Sequence, residues 1–265
     1  MRCHPHATAA SMMLYCRLPE WESMRFVRDT LRPGDVFVDV GANVGTYTLL
    51  AAGRPGVRVV AFEPSSATYL RLTENLRLNP WLEVDARRAA VGDTNGMVEL
   101  TVGLDTVNHV VDGTSTGRPI ERVPIVRLDS ELSDEPVGII KIDVEGLEPA
   151  VLAGARGLFQ RCRPALVVEW NDPVRLGESF AEIGYVAARY LPDESRLVPL
   201  TWTGSPPRIQ NVIAVPADWL EDGAPGRSSA SSPDVATVSP AVVSRTRHGR
   251  EPDPARVGVG VNEAS

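Results

Sequence analysis

The chain has 265 residues and a mass of 28.7 kDa, enough for one full-sized catalytic domain and too little for two. Its formal net charge of −7 disfavours a protein that grips nucleic-acid phosphates, and no apolar run approaches the roughly 20 residues that a membrane-spanning helix needs. Three cysteines without metal-like spacing, Cys3, Cys16 and Cys162, fit a reducing compartment, the cytoplasm.

Residues 1–19 show no clear period and form a poorly defined N-terminal segment. Phe26 to Leu31 reads as the end of a helix that stops at Arg32-Pro33-Gly34. Val36 to Val40 is a β-branched run, hence a strand. Thr46 to Ala52 is a helix closed by Gly53. Val57 to Phe62 is a second strand, and Ser65 or Ser66 caps a helix that Asn79-Pro80 ends.

Leu82 to Val91 reads as a third strand, and Met97 to Gly103 follows the turn Thr94-Asn95-Gly96 as the second arm of a hairpin. Val137 to Val144 is a continuous apolar strand that carries Lys141 and Asp143. Pro149 opens a helix over Ala150 to Phe159. Ala165 to Trp170, Val186 to Tyr190 and Asn211 to Val215 complete the strands. Strands apolar on both faces that alternate with helices imply an α/β fold, a mostly parallel sheet with helices on both faces. Ligands in such sheets bind outside the carboxyl ends of the strands.

Residues 222–265 contain no Leu, Ile, Met, Phe, Trp or Tyr, and 23 of the 44 are Gly, Pro, Ser or Ala. Such a stretch cannot bury enough apolar surface to offset its ordering entropy, so the tail is expected to be disordered. The domain is expected to span residues 20–221.

Three stretches carry chemistry. Asp39-Val40-Gly41-Ala42-Asn43-Val44-Gly45 lies where a strand turns into a helix, and Gly41 and Gly45 allow a tight backbone there. A dinucleotide fingerprint would need G-x-G-x-x-G. Position 43 is Asn and position 46 is Thr, so that reading, and with it an NAD-dependent oxidoreductase, fails at two of three glycines. Asp39 just before the turn suits a cationic ligand better than a pyrophosphate. Glu63, 22 residues past Gly41 at the end of the next strand, can accept from both hydroxyls of a ribose. The third stretch is Lys141-Ile142-Asp143-Val144-Glu145-Gly146. Its three charges end an apolar strand, where burial is costly without a partner or a function. Alternation places Lys141, Asp143 and Glu145 on one face. Lys141 is the single lysine among 27 basic residues. A compact ammonium fits where a planar guanidinium would not.

The turn DVGANVG, the strand end FEP and the stretch IKIDVEGLEPAVLAGA occur together, in this order. They resemble the FkbM family of S-adenosylmethionine-dependent methyltransferases, over about residues 20–215. The resemblance implies a Rossmann-like class I methyltransferase fold, with seven strands and the last one antiparallel. It implies S-adenosylmethionine as cofactor and O-methylation of a hydroxyl on a small-molecule substrate such as a sugar or secondary metabolite. By the same resemblance Asp39, Gly41, Asn43 and Gly45 surround the methionine part, Glu63 holds the ribose and Asp93 meets the adenine. Asp143 and Glu145 then lie near the transferring methyl.

An alcohol is a poor nucleophile at neutral pH, so a general base is expected. Asp143 and Glu145 are preferred for that role over Glu169 and His109, and Lys141 could stabilise a developing alkoxide or hold a carboxylate. No metal is assigned. A Mg²⁺-assisted variant would draw on Asp143 and Asn171-Asp172. N-methylation on the same scaffold and a non-catalytic cofactor-binding module stay open beside it.

Overall fold

The computed structural model describes residues 18–101, 119–201, 205–207 and 209–221. These lie in the first of two compact units of the chain, Met1–Ser228. The second unit, Ser229–Ser265, lies outside the described residues. So do most of the N-terminal segment, the tail beyond Glu221 and the loop that carries His109.

Helix α1 (Trp21–Thr30) precedes strand β1 (Val36–Val40), which is buried at every position. Helix α2 (Thr46–Ala52) starts at Gly45, and β2 (Arg58–Phe62) follows. Helix α3 (Ser66–Arg77) is capped by the Ser65 hydroxyl, which accepts from the backbone N–H of Thr68. Next come β3 (Val84–Arg87), β4 (Ala90–Val91), β5 (Gly96–Thr101) and β6 (Ile120–Val126). After the short α4 (Leu128–Glu131), β7 (Val137–Ile142) runs fully buried. Helices α5 (Glu148–Ala153) and α6 (Arg156–Cys162) lead to β8 (Ala165–Glu169). Helix α7 (Pro173–Glu182), β9 (Tyr185–Leu191), β10 (Arg196–Pro199), β11 (Asn211–Pro216) and α8 (Asp218–Glu221) are the last elements among the described residues.

Among the described residues the main sheet has eight strands, in the order β10-β9-β11-β8-β7-β1-β2-β3. Strands β3, β2, β1, β7 and β8 are mutually parallel, and β11 runs antiparallel between β8 and β9. Alternate residues feed two apolar layers. Val38, Val40, Ile140, Ile142, Leu166 and Val168 pack with Val151, Leu158, Leu176 and Phe180 of α5, α6 and α7. Phe37, Val59, Ile139, Ala165 and Val167 pack with Met24, Phe26, Ala51 and Leu72 of α1, α2 and α3. Each fully buried side chain of this size contributes about 1.5–3 kcal/mol.

One irregularity positions the later chemistry. The β1–β7 ladder starts at Val36 beside Val137 and then skips Gly138, so that Phe37 lies beside Ile139. The extra residue brings Asp39 next to Lys141. Without it Asp39 would face Ile140, and Lys141 would fall on the opposite side of the sheet.

Several expectations change. The main sheet has eight strands rather than seven, because β10 extends the edge beyond β9. The expected third strand is two: β3 joins the main sheet, while β4 joins a separate sheet of order β4-β6-β5. The turn at Asn95-Gly96 makes no local hairpin, for β5 pairs antiparallel with the distant β6 and β4 pairs parallel with it. The helix opened by Pro149 is interrupted at Gly154, whose backbone packs against the carbonyl of Gly92.

Candidate active site

The carboxyl ends of β1, β2, β7 and β8 open into one cleft of about 310 Å³. Asp39, Glu63, Lys141, Asp143, Glu145 and Glu169 line it, together with Glu20, Tyr47 and Gln210 from its rim. Its volume is at the small end of the range for small-molecule sites.

At the β1–β2 side, backbone hydrogen bonds fix the walls. The carbonyl of Phe62 accepts from the N–H groups of Gly41 (3.0 Å) and Ala42 (2.9 Å). Glu63 is buried, and its two oxygens accept from the N–H groups of Asn43 and Ser65, both at 3.0 Å. A carboxylate has about four acceptor sites, so two remain for a ligand. Burial pushes the Glu63 carboxyl up to about 7, although the two backbone donors pull it down. Asn75 of α3, itself buried, donates to the carbonyl of Val44 at 2.8 Å and secures the loop from below. Phe62, Ala89, Ala90, Val91 and Leu100 are among the apolar residues of the lining.

Gly41 has φ +80, and a Cβ there would lie 1.8 Å from the carbonyl oxygen of Asp143. Its missing side chain therefore serves the seating of the β7 turn against the β1 turn. Gly45 does not line the cleft; it starts α2 at φ +95 and faces Leu72. Asn43 lines the cleft with φ 51, and its side-chain oxygen accepts from the N–H of Val44 at 2.7 Å.

The β7–β8 side is built from charge. Asp39 is buried and accepts from the Thr48 hydroxyl at 2.6 Å. Desolvation raises its carboxyl to about 6, against the lowering effects of the Thr48 hydrogen bond and Lys141. The buried Lys141 ammonium lies 3.0 Å from Asp143 Oδ2 and 5.2 Å from the centre of the Tyr47 ring. The Tyr47 hydroxyl donates to Glu20 Oε2, and burial followed by the Glu20 charge pushes the phenol well above its usual range. Glu20 is also bonded by the side-chain amides of Gln210 and Asn211.

Asp143, Glu145 and Glu169 each place an oxygen within 4.8 Å of the others. Glu169 is half-buried, and desolvation together with Asp143, Glu145 and Glu148 pushes it up to about 8, which Lys141 partly opposes. Among the described residues these three carboxylates are close enough together to hold a divalent cation. The set that the Mg²⁺-assisted variant would draw on is not assembled, because Asp172 caps α7 by accepting from the N–H of Arg175 at 3.2 Å. Asn171 instead donates to Glu169 at 3.3 Å.

Lys141, Asp143 and Glu145 do meet at the cleft, as their spacing suggests, but not by strand alternation alone. Strand β7 ends at Ile142, and Glu145 reaches the group through a turn in which it has φ 54. Asp93 does not reach the cleft; it is exposed, and its backbone packs beside Gly154. His109 lies outside the described residues. The sequence reading missed Glu20, Tyr47, Asn75 and Glu148. Of these, only Glu148 carried a local signal, as an acidic residue beside Pro149 in a turn already rich in acid.

Residues 39–184 match the family described as the Methyltransferase FkbM domain. The chain is 33% identical over 188 residues to 31-O-demethyl-FK506 methyltransferase FkbM of Streptomyces tacrolimicus, covering 57% of this chain and 71% of that one. It is 29% identical over 144 residues to hexuronic acid methyltransferase AglP of Haloferax volcanii, covering 53% and 58%. The crystal structure of methyltransferase FkbM from Methylobacillus flagellatus aligns with a TM-score of 0.47 at 17% identity, over 78% of this chain and 52% of that one. The match thus spans little more than half the length of the last two.

Proposed function

The chain belongs to the FkbM family of methyltransferases, and on that premise we propose that it methylates a hydroxyl of a small acceptor, a sugar or a secondary metabolite. S-adenosylmethionine is the methyl donor. The cleft fits it. Glu63 has two spare acceptor sites for a ribose diol. The apolar surface of Phe62, Val91 and Leu100 suits an adenine, and Asp39, Gly41 and Asn43 would surround the methionine part. When bound, the donor supplies a methyl carbon on a sulfonium, already a good leaving group.

The observation that carries the acceptor reading is the group of three carboxylates beside Lys141. Their task is to orient the acceptor hydroxyl and to take its proton. Base assistance of this kind contributes about 10²–10⁴-fold. Alignment of acceptor and donor contributes about 7–11 kcal/mol more. Lys141 holds Asp143 in place and offsets charge that develops on the acceptor oxygen.

The charge of the cleft narrows the acceptor. Six carboxyl groups line it, Glu20, Asp39, Glu63, Asp143, Glu145 and Glu169, and Lys141 is the one cation among the described lining residues. Burial raises Asp39 to about 6, Glu63 to about 7 and Glu169 to about 8, so the cleft is acidic but carries less charge at neutral pH than six ionised groups would. Such a field repels phosphates and carboxylates. This supports an uncharged acceptor and weighs against nucleic acid. No described helix is long and apolar enough to cross a membrane. A cytoplasmic site of action and a catalytic unit of residues 20–221 complete the reading.

Incubation with methyl-labelled donor and a panel of hydroxylated, amine-bearing and carboxylated acceptors, read by mass spectrometry, tests it. The expected result is one added methyl on an uncharged hydroxylated acceptor. Labelling of amines alone would replace the reading with N-methylation. A second reading rests on the same three carboxylates, which could hold Mg²⁺. Turnover lost on chelation and restored by Mg²⁺ selects that variant; turnover unchanged by chelation removes it.

A further inference from the structure

Glu148 opens α5 immediately behind the turn that carries Asp143 and Glu145. Its side chain is completely buried. One oxygen, Oε1, accepts from the backbone N–H groups of Val144 (3.2 Å) and Gly146 (3.1 Å). The other, Oε2, is buried without a hydrogen-bond partner among the described residues. Burying a carboxylate so incompletely satisfied opposes folding. The start of α5 does not demand it, since Pro149 beside it suits a first helical turn without a capping carboxylate.

The turn itself explains the residue. Glu145 has φ 54 and Gly146 has φ 100. A non-glycine residue persists in the left-handed region only where its surroundings over-determine it. Two clamps do so here. On one side the Asp143 carbonyl is seated against Gly41. On the other, Glu148 grips the two N–H groups that flank Glu145.

We propose that Glu148 is a positioning residue for methyl transfer: its grip on Val144 and Gly146 holds the Asp143 and Glu145 carboxylates at the cleft mouth beside Glu169. It touches neither donor nor acceptor, and it governs turnover rather than donor binding, because Phe62, Asn43 and Ser65 hold the donor-facing backbone and Glu63, and Glu148 bonds none of them. This inference rests on the methyl-transfer reading above.

The test uses the full chain with Glu148→Gln, Glu148→Asp and Glu148→Ala. Gln keeps an acceptor oxygen at the same reach and should retain most of the turnover. Asp keeps the charge but is one methylene shorter, and Ala removes the grip. Both should lower kcat by about 10²-fold, the scale on which a misplacement of about 1 Å acts. Donor Kd by calorimetry should stay unchanged. Hydrogen exchange supplies a readout that needs no acceptor: the Val144 and Gly146 amides should exchange slowly in the parent and in Gln, and fast in Asp and Ala. Slow exchange in the Asp variant, or a kcat in that variant equal to the parent's, overturns the proposal, whether or not the Ala variant folds. Loss of donor affinity in step with kcat overturns it as well. If the parent methylates no hydroxyl while the amides still follow this pattern, the functional reading fails and the clamp stands.

Discussion

The two sides of the cleft are held by different forces. At the β1–β2 side, backbone groups do the holding: Phe62 and Glu63 accept from four N–H groups of the adjacent turns, and Asn75 fixes the loop carbonyl. At the β7–β8 side, side-chain charges crowd together, with Lys141 between Asp39 and Asp143 and with Glu145 and Glu169 close by. Backbone hydrogen bonds make a rigid wall with few alternative arrangements. Crowded charges make a reactive surface whose protonation answers to whatever enters. On the proposed reading the rigid wall holds the donor, and the charged side selects the acceptor and takes its proton.

The two sides meet at Gly41, so Gly41→Ala should give the largest effect. Its Cβ would fall 1.8 Å from the Asp143 carbonyl oxygen, in a backbone conformation that an alanine resists. Strain and overpacking together should cost about 2–6 kcal/mol, and Tm should fall by about 5 °C or more. Thermal melts with and without donor measure this. A variant as stable as the parent, with donor affinity intact, would show that the two turns are not interlocked.

Lys141→Met should separate the sides. It keeps the apolar stem and removes the charge, leaving Asp39 and Asp143 without their shared cation. Turnover should fall by about 10²–10³-fold, the effect of losing one electrostatic contact at a reacting centre. Donor affinity should change far less, and the ratio of the two effects is the quantity to measure. Equal losses in both would place Lys141 on the donor side.

Glu63→Gln should act in the opposite sense and more mildly. Hydrogen bonds to a charged group are worth about 1.5–3 kcal/mol, so donor Kd should rise about tenfold to a hundredfold. The same variant sharpens a pH prediction. Glu63 is raised from 4.5 to about 7 in the folded protein, and Asp39 from 3.8 to about 6. Their raised values mean that the folded state holds protons the unfolded chain has released. The associated stability is complete at the acid end, below each unfolded value, and is lost as pH rises through about 6 for Asp39 and about 7 for Glu63. Donor-free Tm should therefore decline across that window. Glu63→Gln should remove the part of the decline that ends near pH 7 and leave the parts that end near pH 6 with Asp39 and near pH 8 with Glu169. A decline of the same size and position in the variant would assign the titration to another group.

Much of the cleft wall at the ends of β1 and β2 was legible in the sequence. Asp39, Gly41, Asn43 and Glu63 lie at the ends of two strands whose β-branched runs stand out, and all four line the cleft. Gly45 and Asp93 were drawn in by motif position alone, and the fold turns both elsewhere. The charged side was legible as a motif but not as an arrangement. Nothing local tells that Glu169, 26 residues after Asp143, ends the neighbouring strand beside it, or that Glu20 reaches across to Tyr47.

The sequence by itself determined the succession of strands and helices and the acidic ends of the strands, because hydrophobic period and turn chemistry are properties of neighbouring residues. Tertiary structure alone decided which strands pair. It sent β4 and β5 to β6, added β10 to the edge and skipped Gly138 so that Lys141 lies beside Asp39. It also placed Glu148 beneath the turn that carries Asp143 and Glu145. Register depends on contacts between residues far apart in the chain, and a slip of one position moves a side chain to the other face of the sheet.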